Sequence, residues 1–280
     1  MQLLQSWLFV PGHRPSMVDK ACHLDADAVI FDLEDGVPAA QKEAARQQVA
    51  AALAKDSGKP LFVRTHSANH AEFTNDLDAV VCPGLAGIIL SKADAVEDVM
   101  RLSAALSRVE QQSSIPHGQI RILALIESAR GIIQSPAIAG ADPRLAGLVF
   151  GAEDFALDTN SDPVDDFIYA RSALVVAAAS AGIQVVDRAH LDLQDTDGLS
   201  DSTRQSRRLG FTGRLLIHPR QIAPTHDAFY PAAHEVEHAE RVLAAFNPDS
   251  GSIVVDGRMV DLPVVERARQ TLSLYKRRNS

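Results

Sequence analysis

The chain has 280 residues, 46% of them apolar and 22% charged, and a formal net charge of −9. That length holds one large α/β barrel or two modest domains, and the acidic balance argues against a nucleic-acid surface. No run reaches the apolar length of a membrane span, and residues 1–7 lack the basic start and cleavage site of a signal peptide. The first ten residues instead read as a strand ending near Val10. Further apolar runs end near Leu33, Arg64, Leu90, Ile126, Phe150, Val186 and Ile217, at intervals of roughly 25 to 35 residues, the spacing of repeated βα units. Eight such runs predict a closed (β/α)8 TIM barrel of the α/β class. Between them, helices are predicted at 39–53, at 163–181 up to Gly182, and at 201–209 up to Gly210. A further helix spans 231–246. Residues 247–251 then read as a loop, and 252–260 as a hairpin around Asp256-Gly257. A helix at 263–276 begins on Pro263. The expected division is a barrel domain, 1–246, and a C-terminal hairpin-helix extension, 247–280, serving as lid or oligomer contact. Cys22 and Cys82 form no motif, which fits free thiols in a reducing cytosol, so a cytoplasmic protein is expected.

The chemistry gathers where the apolar runs stop. Glu127 ends the fifth run, and Asp154 follows the sixth by four residues. Carboxylates at the C-terminal ends of buried parallel strands lie where α/β folds place their ligands. Two of them about 4 Å apart repel by roughly 4 kcal/mol at an effective dielectric near 20. Either one holds a proton or a cation lies between them, and a cation is the expectation. Oxygen ligands with no Cys or His partner suit Mg2+, or Mn2+, rather than zinc. Asp32, Glu34, Asp35, Arg64, Lys92 and Asp187 fall at other strand ends of the same rim. Asp32, Glu34 and Asp35 serve equally well as braces for Arg64. His13, His66 and His70 show no metal-ligand spacing, and the chain has no P-loop, dinucleotide fingerprint or nucleophile elbow.

Several segments, taken together, resemble the HpcH/HpaI aldolase superfamily in its citrate lyase β-subunit-like branch. They are Trp7-Leu8-Phe9-Val10-Pro11-Gly12-His13-Arg14-Pro15, Phe31-Asp32-Leu33-Glu34-Asp35-Gly36, Val63-Arg64, Ile126-Glu127-Ser128-Ala129-Arg130-Gly131, Gly151-Ala152-Glu153-Asp154-Phe155 and Ile217-His218-Pro219-Arg220-Gln221-Ile222. The resemblance covers nearly the whole chain. It implies a Mg2+-dependent lyase that cleaves a 3-hydroxyacyl thioester, with (S)-citramalyl-CoA as first expectation, a citryl or malyl thioester as alternatives, and a noncatalytic regulatory protein on the same scaffold as the alternative from another class. It also implies that Glu127 and Asp154 hold the metal, that Arg64 contacts substrate oxygens, and that Asp261 works as acid/base. Arg14, Lys20 and His218 join the expected substrate-binding residues, the first two for an acyl-CoA or carrier-protein thioester. The implied assembly is a homo-oligomer, a trimer or a multiple of it. Leu90-Ser91-Lys92 departs from the commoner Leu-Pro-Lys, and Arg64-Thr65-His66 from Arg followed by a hydrophobe and Asn.

Overall fold

In the computed structural model, which describes residues 3–162, 166–247 and 251–278, the eight apolar runs close into one parallel barrel in sequence order. The strands are β1 (Ser6–Pro11), β2 (Ala28–Asp32), β3 (Leu61–Thr65), β4 (Leu85–Leu90), β5 (Arg121–Ile126), β6 (Leu145–Phe150), β7 (Gln184–Asp187) and β8 (Gly213–Leu216). β8 pairs back onto β1 through Ser6 and Arg214. Around them run α1 (Pro15–Ala21), α2 (Lys42–Leu53), α3 (Phe73–Val80), α4 (Val96–Gln112), α5 (Ala129–Ala139), α6 (Ala152–Thr159), α7 (Ile168–Ala181), α8 (Thr196–Leu209) and α9 (Ile222–Phe229). The sequence stretch after α9 forms α10 (Ala233–Ala245), the strands β9 (Ile253–Val255) and β10 (Arg258–Val260), and α11 (Leu262–Arg278).

Strands buried on both faces need apolar residues at nearly every position, and the pleat divides those residues between two cores. Trp7, Ala28, Ile30, Phe62, Ile89, Leu123, Leu125, Val149, Val186 and Leu215 fill the barrel interior. Their neighbours Leu8, Val29, Phe31, Val63, Ile88, Ala124, Leu148 and Leu216 face the helices. The helix ends follow local chemistry. α7 stops where Gly182 turns left-handed at φ 67°, and α8 stops at Gly210, φ 111°. α8 begins at Thr196, five residues before the predicted start, because Asp195 Oδ1 accepts from the N–H of Gly198 and caps a first turn whose glycine reads as loop. Of the helix predicted over 163–181, residues 163–165 lie outside the described residues, as do 248–250 of the predicted loop.

The chain divides into two compact units, Met1–Thr225 and His226–Ser280. The boundary falls earlier than the 246/247 division expected from the sequence. The reason is that α10 shares a small core with the tail: Ala239 and Val242 pack with Val255, Val260, Val265 and Ala268. In this second unit the hairpin turns through Asp256 and Gly257, both left-handed at φ 51° and 74°, the geometry a two-residue turn between twisted strands requires.

Candidate active site

The pleat that fills the barrel also builds its mouth. Two residues beyond Phe9, Ile30, Phe62, Leu125, Val149, Val186 and Leu215 stand Pro11, Asp32, Arg64, Glu127, Gly151, Arg188 and Ile217. All seven line one cavity of about 280 Å³, together with Glu153 and Asp154 from the first turn of α6. The alternation that points Val186 inward turns Asp187 the other way. Asp187, expected on the rim, is fully buried on the helix side, where its Oδ2 accepts from Arg171 and from Ser206, both at 2.5 Å.

Arg64 is fixed on one wall. Its Nε and Nη2 donate to Oδ1 and Oδ2 of Asp32, each at 2.7 Å, and Nη1 lies 3.2 Å from Glu34 Oε2. The guanidinium carbon sits 5.0 Å over the Phe9 ring. Asp32 also accepts from the N–H groups of Glu34 and Gly36, each at 2.9 Å. Burial pushes the Asp32 carboxyl up, but the Arg64 hydrogen bonds and charge outweigh it and hold the group below the usual carboxylate range. Asp32 and Glu34 are thus the braces of Arg64.

Glu127, just past β5, and Asp154, in the first turn of α6 after the adjacent β6, line the same cavity. Glu127 is buried and its Oε1 accepts from the N–H of Lys92 at 2.8 Å. Burial, and then the charge of Asp154, pushes the Glu127 carboxyl up to about 8. Gly151 is pressed so closely against Glu127 that a β-carbon there would overlap the carboxylate. Lys92 has φ 52°, a conformation costing a non-glycine residue roughly 1–2 kcal/mol. Its Nζ lies 3.5 Å from Glu34 Oε1, 3.7 Å from Asp35 Oδ2 and 3.9 Å from Asp154 Oδ1.

This donor set fits a hard divalent cation. Asp32, Glu34, Asp35, Glu127, Glu153 and Asp154 outnumber Arg64, Lys92 and Arg188, and Glu127 and Asp154 offer oxygen alone. Among the described residues no group of three or more His, Cys, Asp or Glu side chains is placed to hold a metal. Two carboxylates with the remaining positions left to water and substrate is the mode Mg2+ prefers.

Three other candidates, all in the barrel unit, are not among the residues that line this cavity. Arg14 is exposed at the start of α1, and Lys20 is exposed in its last turn. His218 caps the 3₁₀ turn Pro219–Gln221, its Nδ1 accepting from the N–H of Arg220 at 3.1 Å. None of the three lines the cavity. In the second unit, Asp261 precedes α11, with its Oδ1 3.4 Å from the N–H of Val264 and its carbonyl accepting from Val265. That is the position of a helix cap. Of the charged residues that line the cavity, the sequence reading omits Arg188, mostly buried, with its guanidinium 5.5 Å from the Phe167 ring centre and 3.7 Å from Asp166. Counting two residues past the inward-facing Val186 would have found it.

Known proteins share this sequence pattern and this fold. The family model described as HpcH/HpaI aldolase/citrate lyase matches residues 5–219. The chain is 37% identical over 278 residues to citrate lyase subunit beta of Escherichia coli K12, covering 96% of this chain and 92% of that protein. It is 29% identical to the mitochondrial citramalyl-CoA lyase of Rattus norvegicus, covering 95% and 84%. Among solved structures, CitE of Mycobacterium tuberculosis in complex with magnesium, acetoacetate and coenzyme A superposes with a TM-score of 0.84. It is 32% identical, with 97% of this chain and 98% of that one covered.

Proposed function

The chain belongs to the HpcH/HpaI aldolase/citrate lyase family, and on that premise we propose that it cleaves a 3-hydroxyacyl thioester to a 2-oxo acid and an acetyl thioester. It is a Mg2+-dependent carbon–carbon lyase. The observation that carries this reading is the convergence of Arg64, Glu127 and Asp154 on one cavity at the mouth of the barrel. Glu127 and Asp154 would hold the metal ion, which when bound would supply a Lewis acid that lowers the pKa of the substrate hydroxyl. Arg64, its Nε and Nη2 edge held by Asp32, turns its remaining N–H groups to the substrate's carboxylate and to the oxygen on which charge develops. Asp32 and Glu34 keep that fork aimed, so little reorganisation is needed as the bond breaks. Phe9, Leu125, Phe150, Ala189 and Leu215 give the cavity an apolar wall that excludes water from the enolate. The hydroxyl proton leaves to solvent at the cavity mouth, the carbon–carbon electron pair passes to the thioester enolate, and Asp261, protonated beforehand, gives its proton to that carbon, a role drawn from the family resemblance.

The substituent on the hydroxyl carbon sets the substrate. A methyl group against the apolar wall makes (S)-citramalyl-CoA the first reading, supported by the rat relative. Arg188 in the same cavity favours a second, a citryl thioester whose extra carboxylate reaches that guanidinium, in line with the Escherichia coli relative. Citramalyl-, malyl- and citryl-CoA, assayed side by side with Mg2+, separate the two. The first reading expects pyruvate, unchanged in Arg188→Leu. The second expects oxaloacetate, lost in Arg188→Leu. Cleavage of none of them would remove both.

A further inference from the structure

Lys92 addresses the two proposed metal ligands with different parts of itself. Its backbone N–H donates to Glu127 Oε1 at 2.8 Å, while its ammonium lies 3.9 Å from Asp154 Oδ1. The same ammonium is within 3.5 Å and 3.7 Å of Glu34 and Asp35. A lysine held at positive φ beside a crowd of carboxylates is the sort of conformational outlier that points to function. Arg64 is committed to Asp32 and Glu34, so it offers Asp154 no direct partner. Lys92 carries the charge that offsets Asp154. Its side chain is 47% exposed at the mouth of the site, which gives the ammonium water to move into.

We propose that Lys92 is a positioning residue that acts as the resident counter-cation of this site. Its ammonium restrains Asp154 and Glu34 against their mutual repulsion before a divalent cation arrives, and it releases Asp154 when one does. Its N–H keeps Glu127 in place throughout. The inference rests on the reading of Glu127 and Asp154 as metal ligands. An ammonium and a divalent cation drawn to the same carboxylate repel each other, so the price of an ordered metal-free site is a weaker metal affinity. The plain alternative is a surface lysine whose half-exposed ion pairs contribute little.

The two differ in the sign and size of one measurement. Mn2+ binding to the full-length protein, without substrate, is followed by electron paramagnetic resonance, with Mg2+ as competitor. Lys92→Gly suits the left-handed backbone and keeps the N–H to Glu127. Lys92→Met keeps the aliphatic stem and the strained backbone. Both should bind Mn2+ about tenfold more tightly than the wild type, the scale of one unit charge removed from a partly exposed site a few ångströms away. Lys92→Arg should stay within about twofold, because the charge is retained. Unchanged or weaker binding in both Lys92→Gly and Lys92→Met overturns the proposal while leaving the metal reading intact. Wild-type Mn2+ binding that survives Glu127→Gln would remove the metal reading and this proposal with it.

Discussion

Arg64 owes its orientation to Asp32, a buried carboxylate satisfied by two guanidinium and two backbone donors. Lysine at this position would supply the charge but not two parallel N–H groups, so one Asp32 oxygen would keep only its backbone donor. Arg64→Lys should therefore lower kcat by about 10²–10³-fold, the scale of losing an oriented donor at a developing oxyanion. Steady-state kinetics on the cleaved thioester check this, and near-normal turnover would reduce Arg64 to the counter-ion of Asp32. At the same scale, Glu127 is the group whose charge the fold disfavours most openly, since burial and Asp154 act on it in the same direction.

Among the elements, β5 and β6 lead directly into the proposed metal pair, Glu127 after β5 and Asp154 on α6, and a buried ion pair anchors the N-terminal ends of both strands. Arg144, just before β6, donates from Nη1 and Nη2 to the two oxygens of Glu110 on α4, at 2.7 and 2.6 Å. Glu110 also accepts from the N–H groups of Gly118 and Ile120, each at 3.0 Å. Burial pushes the Glu110 carboxyl up, but these partners outweigh it and hold it below the ordinary glutamate range. A depressed carboxyl stabilises the fold above its unfolded value near 4.3, and that stabilisation is lost as pH falls through the depressed value. Glu110→Gln should cost roughly 3–5 kcal/mol near pH 7. Urea titrations at pH 7 and at about pH 3 should show the gap from wild type closing at the acid end. A gap that does not change with pH would mean packing, not charge, makes the difference. The strands were the most legible elements, because continuous apolar runs have few other ways to be buried. Arg64, Glu127 and Asp154 followed from where those runs stop. Less legible were facts that depend on direction or on packing across the chain. Asp187 and Arg188 are neighbours in sequence, yet only the second faces the cavity, and it takes the pleat to tell them apart. α10 reads from the sequence as part of the barrel, because nothing in its own residues announces that Ala239 and Val242 pack with the hairpin.

For the whole molecule, the barrel unit holds Arg64, Glu127 and Asp154, and Asp261 lies in the second unit. Its geometry is that of a cap, which asparagine serves about as well, so the acid/base proposal and the cap make different forecasts. Asp261→Asn should keep the fold and Mn2+ binding yet lose about 10²–10⁴-fold in cleavage. If the tail serves a neighbouring copy, mixing Asp261→Asn with Glu127→Gln subunits restores activity, and full activity in Asp261→Asn alone leaves the residue a cap. Above this stands the claim that a divalent cation between Glu127 and Asp154 is what makes the barrel mouth a lyase. Its most direct measurement is 2-oxo acid release from the 3-hydroxyacyl thioesters by metal-depleted protein, before and after Mg2+ is added back, with Glu127→Gln in parallel. Release that is absent without Mg2+, restored by it in the wild type and not restored in Glu127→Gln is the expected result. Cleavage that persists in the metal-depleted protein, or that Mg2+ restores equally in Glu127→Gln, would contradict it.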